Sequence, residues 1–196
     1  MATHPAHTLT RHRLTVDDYY DMAKVGVLGP QDRVELIAGE VLDMSPIGSL
    51  HAALVTAVAR WLTLAAGDRG LVAVQNPLRL DAASEPQPDI TLLRPQADFF
   101  AAAHPGPADA LLVVEVAESS LAFDLGVKVP LYAGHGIPEV WVIDAATRTT
   151  HRFRSPGPEG YAAEQIIAAS EPLDCEALPG ESQSLAALVP VLDRNA

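Results

Sequence analysis

The sequence predicts an α/β fold in three layers, with helices on both faces of a mixed central sheet. Three observations carry this expectation. A long apolar helical stretch covers 50–66. Apolar runs of strand length follow at 71–74, 89–93, 111–117 and 139–144. Between the last two lies a helical stretch reaching about Gly136, so strand, helix and strand come in succession. That succession predicts a right-handed crossover joining a parallel pair.

Taken in order, residues 1–13 are polar and rich in His and Thr, and read as a loose arm before a single domain over 14–196. Thr15 is placed to cap a helix over 16–24, with Asp17 and Asp18 in its first turn. Residues 33–37 and 40–44 read as a hairpin turning at Ala38-Gly39. Ser49 reads as the cap of the long helix, whose apolar surface predicts deep burial. A strand from Leu71 runs toward Leu80, bent by Pro77. A polar loop at 81–87 precedes the strand that Asp89 opens. Residues 95–109 form a surface excursion in which Phe99 and Phe100 pack back. After the strand ending at Asp144, a turn leads to a further strand at 148–154. Residues 161–168 read as strand or short helix, and 184–192 as a closing helix.

The 196 residues suffice for one domain with a real core, and 48% of them are hydrophobic, so the chain is globular. A formal net charge of −12 excludes a sequence-independent nucleic-acid coat. It leaves room for an enzyme that recruits metal to screen phosphate. The lone cysteine, Cys175, cannot form an internal disulfide and fits a reducing compartment. The N-terminus lacks a signal-peptide core, and no apolar run is expected to approach membrane-spanning length. The expectation is a soluble cytoplasmic protein.

Charge placement then singles out candidate residues. Glu115 interrupts the run Leu111-Leu112-Val113-Val114-Glu115-Val116-Ala117, which otherwise reads as a strand buried on both faces. An ionised carboxylate there is disfavoured unless a cation, a metal or several donors meet it. Asp89 starts a neighbouring strand directly after Pro88. Two acids on adjacent strands could share one divalent cation, since magnesium takes hard oxygen ligands. Asp124, Lys128 and Tyr132 are spaced four apart and would share one helix face. Pro130 stands inside that helix, four residues after Gly126, and predicts a kink.

The pattern Pro88-Asp89, Glu115 in an apolar strand, then a lysine, resembles the PD-(D/E)XK nuclease superfamily with its restriction endonuclease-like fold. Within it the chain looks most similar to the Uma-two family of restriction endonuclease-like proteins. The resemblance also rests on Val34 to Glu40, His51, Asp124, Tyr132 and Gly136 to Asp144. It implies hydrolysis of nucleic-acid phosphodiesters, DNA ahead of RNA, with Mg²⁺ or Mn²⁺ held by Asp89 and Glu115. The backbone carbonyl of Val116 or Ala117 would complete the coordination. The position two after the glutamate is Ala117, which cannot serve as the usual lysine. Lys128 matches the family's displaced lysine, and Glu35 a position associated with the acidic cluster. A homodimer is the default for such cores.

Each residue also has a plainer reading. Asp89 would be a turn acid, and Glu115 the buried partner of an arginine. Lys128 would be a solvated helix lysine, and Asp124 a cap or ion-pair partner. Tyr132 and His51 would be core packing. Asp144 reads as a turn acid. Arg148, Arg152 and Arg154 would share one strand face, either contacting phosphates or keeping an exposed edge strand soluble. The alternative to an endonuclease is a catalytically inactive nuclease-fold module acting in binding or scaffolding.

Overall fold

The computed structural model describes residues 10–190. Most of the expected arm at 1–13, and the end of the expected closing helix beyond 190, lie outside the described residues.

Helix α1 (Val16–Lys24) begins at the Thr15 cap. Thr15 accepts from the Asp18 amide and the Asp18 carboxylate accepts from the Thr15 amide, so both orphan donors are met. Strands β1 (Val34–Ile37) and β2 (Glu40–Asp43) form the expected hairpin. Ala38 and Gly39 both have positive φ, 49° and 76°, as a two-residue hairpin turn that follows the strand twist requires. Gly39 is obligatory for a second reason: a Cβ there would stand 2.7 Å from the Cβ of Arg13.

Helix α2 (Ser49–Ala66) departs from expectation in two ways. Gly48, not Ser49, is the cap, and it offers no side-chain hydrogen bond. Burial is confined to one stripe, Leu54, Val55, Val58, Ala59, Leu62 and Ala66, while Leu64 is exposed. The stretch Ser49–Arg69 is also long and apolar enough, by length and composition, to cross a membrane, which corrects the reading of the sequence. Its apolar stripe packs instead on the central sheet.

That sheet has six strands in the order β3-β4-β5-β6-β7-β8. They are β3 (Leu71–Val74), β4 (Ile90–Leu93), β5 (Ala110–Ala117), β6 (Glu139–Asp144), β7 (Thr149–Gly157) and β8 (Gly160–Ile167). Only β5 and β6 are parallel, joined by the crossover through α3 (Leu121–Phe123), a π-helical turn (Asp124–Lys128) and α4 (Val129–Gly134). Asp89 stands one residue before β4 rather than in it. Residues 161–167 are strand, not helix. A second hairpin, β9 (Pro172–Asp174) with β10 (Ser182–Ser184), was not foreseen; α5 (Leu185–Leu188) follows it.

Strand alternation explains the layers. Leu112, Val114 and Val116 of β5, with Trp141 and Ile143 of β6, face α2. Val113 and Ala117, with Val140 and Val142, face α4. Period two therefore turns Glu115 to the α4 side, toward Lys128 and Tyr132. Of the expected aromatic pair in the 95–109 loop, Phe100 packs against the core and Phe99 stays 75% exposed.

Candidate active site

The crossover is where the sequence misbehaves as a helix. Pro130 has no amide hydrogen, and its ring would strike the carbonyl of Gly126 in a regular α-turn. The chain answers with the five-residue π-turn, in which the Val129 amide reaches the Asp124 carbonyl. The expected kink is thus a widened turn, a form frequent at functional sites. It leaves Asp124, Lys128 and Tyr132 all buried, at 3%, 5% and 0% exposure.

Lys128 Nζ lies 3.0 Å from Glu35 Oε2 and 3.3 Å from Glu115 Oε1. Burial alone would favour the neutral amine, but Glu115 and Glu35 outweigh it and hold the ammonium firmly protonated. Glu115 also accepts from the Tyr132 hydroxyl at 2.6 Å. Burial dominates Glu115 and pushes its pKa up to about 8, despite the opposing pull of Lys128. Burial likewise raises Asp124, which accepts from the Ser120 hydroxyl at 2.6 Å. Glu35 is braced by the backbone amide of Gln87 at 3.1 Å.

Asp89 and His51 form the second half of the site. Asp89 Oδ2 accepts from the Val116 amide at 2.9 Å and Oδ1 from Gln75 at 3.3 Å. His51, in the first turn of α2, has Nδ1 2.9 Å from the Val116 carbonyl and Nε2 2.9 Å from Asp89 Oδ1. A carbonyl only accepts, so Nδ1 carries the proton. The contact of Nε2 with Asp89 is short. In the neutral ring two acceptors would face each other there. Asp89 accordingly raises the imidazole pKa.

Glu35, His51, Asp89, Glu115, Asp124 and Lys128 line one cleft of about 750 Å³. The cleft carries six acids against Lys128 and Arg33. Among the described residues no three Asp, Glu, His or Cys groups stand together as a ready-made metal site. The donor set nevertheless offers what a hard divalent cation takes, carboxylate oxygens in excess of cations. The two backbone carbonyls considered for coordination already have partners, Val116 with His51 and Ala117 with the Ala145 amide.

Tyr132 does not line the cleft; it lies beneath Glu115, fully buried. Arg148, Arg152 and Arg154 are not in the cleft either. Arg148 sits in the turn before β7 with φ 57°, off the strand face expected for it. Arg152 pairs with Asp174, and Arg154 pairs with Asp174 and with buried Glu139 at 2.8 Å. Their strand is interior to the sheet, not an edge. Asp144 is the turn acid expected, accepting from the Ala146 amide and the Thr147 hydroxyl. Sequence reasoning missed Gln75, Gln87, Ser120 and Phe123. Only Ser120, four residues before Asp124, carried a spacing signal.

The Uma2 family model, described as a putative restriction endonuclease, matches residues 16–188. No curated protein matches the sequence. Among solved structures, the chain is similar to a putative nuclease belonging to DUF820 from Anabaena variabilis ATCC 29413. That similarity has a TM-score of 0.70 at 12% identity, covering 91% of this chain and 99% of that one. At such identity it shows a shared fold, the restriction endonuclease-like α/β/α arrangement with a mixed sheet.

Proposed function

Because the chain belongs to the Uma2 family of putative restriction endonucleases, we propose that it is a Mg²⁺- or Mn²⁺-dependent endonuclease acting on nucleic-acid phosphodiester bonds, DNA ahead of RNA. The observation that carries this reading is the buried Lys128 ammonium bridging Glu35 and Glu115 in the cleft that Asp89 also lines. A lysine is expensive to bury, and a solvated helix lysine would not be held this way.

In this reading Asp89 and Glu115, with His51 beside Asp89, would hold the ion. Held by these residues, such an ion would supply Lewis-acid polarisation of the scissile phosphate and a lowered pKa for the attacking water. Lys128 has three N–H donors, two of them engaged by Glu35 and Glu115; the third meets charge developing on the phosphate. Glu35 holds Lys128 in place, and the Tyr132 hydroxyl fixes the Glu115 carboxylate. Asp124 adds negative charge near Lys128.

One observation favours the second reading, a nuclease fold kept for binding: the described residues hold no preassembled three-ligand cluster. Incubation with DNA and RNA in Mn²⁺ or Mg²⁺, beside a Glu115→Ala control, separates the two. Metal-dependent cleavage absent from the control supports the enzyme. No cleavage together with no calorimetric metal binding supports the binding module.

A further inference from the structure

The cleft is a poor match for a double helix. A duplex carries a negative charge about every 1.7 Å, against about 3.4 Å along one strand, so an acidic cleft repels it more strongly than a single strand. Here six acids face the cleft against Lys128 and Arg33, and Lys128 is itself engaged. Other basic side chains are tied to acids: Arg11 and Arg13 to Glu40, Arg69 to Glu181, Arg79 to Asp17, Arg152 and Arg154 to Asp174. The same cleft has an apolar part. Leu42, Met44 and Ile47, from β2 and the segment after it, line it together with Phe123. Ile47 is 42% exposed, and Phe123 directly precedes Asp124, one widened turn from Lys128. Aromatic and apolar side chains beside a phosphate-handling centre match the faces of unstacked bases, which a duplex hides.

We propose, building on the nuclease reading, that the cleft takes an unpaired nucleic-acid strand. One base lies against Phe123 and Ile47, and the adjoining phosphate reaches the Lys128 ammonium. The substrate class is therefore single strands, unpaired tails or loops, and the interior of a duplex is excluded.

The test is fluorescence anisotropy with a labelled DNA strand of about twelve nucleotides, within the site sizes such grooves cover. The same sequence is offered as a blunt duplex and as RNA, all in calcium, a hard ion that takes oxygen ligands. Cleavage in Mn²⁺ is followed on the blunt duplex and on a duplex with an unpaired tail. The expected result is single-strand binding at least roughly tenfold tighter than duplex binding, with cutting confined to the tail. Phe123→Ala weakens single-strand binding by about tenfold, and Ile47→Ala weakens it less. The log–log salt slope stays near about −1, the value for one or two phosphates on a single strand. Equal or tighter duplex binding overturns the proposal. So does unchanged single-strand affinity in both variants, Ile47 being surface-exposed and its variant safe to fold. The RNA arm decides which strand is preferred. If neither nucleic acid is cut, the nuclease reading fails, while the binding ratio still decides the strand preference.

Discussion

Lys128 sits where a lysine is costly, 5% exposed and inside a turn of helix that packs on the sheet. Its charge is tolerated because two equally buried carboxyl groups, Glu35 and Glu115, stand 3.0 and 3.3 Å from it. Removing one member of a buried ionic group costs more than the group contributes, since the remaining charges lose their partner. Lys128→Met keeps most of the volume and deletes the charge. It should destabilise the fold by about 3–5 kcal/mol near neutral pH, read from the urea midpoint. Glu115 gives the same site a pH signature. Its folded pKa of about 8 lies above the ordinary 4.5, so between those values the folded state holds a proton that the unfolded chain has lost. Stability of the metal-free protein should therefore fall as pH rises from about 4.5 to about 8, with Glu115 contributing nothing further beyond either end. Urea unfolding in chelator, taken from about pH 5 to about pH 9, checks the sign. A rise over that window, with Glu115→Gln showing the same rise, would contradict the burial of Glu115.

At the scale of elements the decisive feature is the π-turn. It exists because Pro130 denies the helix one amide and one carbonyl position, and the extra residue in the turn keeps Asp124 and Lys128 inward together. Pro130→Ala restores the amide, so the folded protein should lose no stability. With the steric demand gone, the turn is free to tighten to an α-turn and swing Lys128 relative to Tyr132. The expected outcome is an unchanged or raised unfolding midpoint with reduced Mn²⁺-dependent cleavage; unreduced cleavage would show that the turn survives without the proline. This element also marks the limit of the sequence. Proline four residues after glycine announced a disturbance, but local spacing does not settle whether the helix widens or bends. Strands β5 and β6 were legible, since short, valine-rich apolar runs of strand length fit buried strands. The Ser49 cap was misread because Gly48 needs no side chain; a Cβ at Gly48 would meet the Glu118 carboxylate. The membrane-length apolarity of α2 hid a one-sided stripe, since its outer face is built largely of alanine and threonine. The β9–β10 hairpin has strands of three residues each, too short for a period-two pattern to show.

For the molecule as a whole, convergence was legible in kind and not in pairing. Glu115 stood out as a misplaced charge, Asp89 as the acid opening the neighbouring strand, and Lys128 through the family resemblance and its helix spacing. That Glu35 would be the one to share Lys128 depends on the hairpin being docked by the Leu36–Glu85 bridge, a contact about fifty residues apart in sequence that no local rule foresees. The product is a protein of net charge −12, six of whose 25 acids line one cleft. Self-repulsion of that kind is relieved by any cation, so stabilisation by metal must be distinguished from simple screening. A bound ion stabilises by RT ln(1 + [L]/Kd), about 2.7 kcal/mol at a hundredfold excess over Kd. For a chain of this length that raises the unfolding midpoint by roughly 5–10 °C. Mn²⁺ should produce such a rise, saturating with concentration, while sodium chloride of matched ionic strength should not. Asp89→Asn keeps an oxygen acceptor for the Val116 amide but removes a charge, and should abolish the saturating rise while leaving the generic salt response intact. Equal stabilisation by sodium, or a rise that persists in Asp89→Asn, would assign the effect to screening of the whole surface and leave the cleft without its ion.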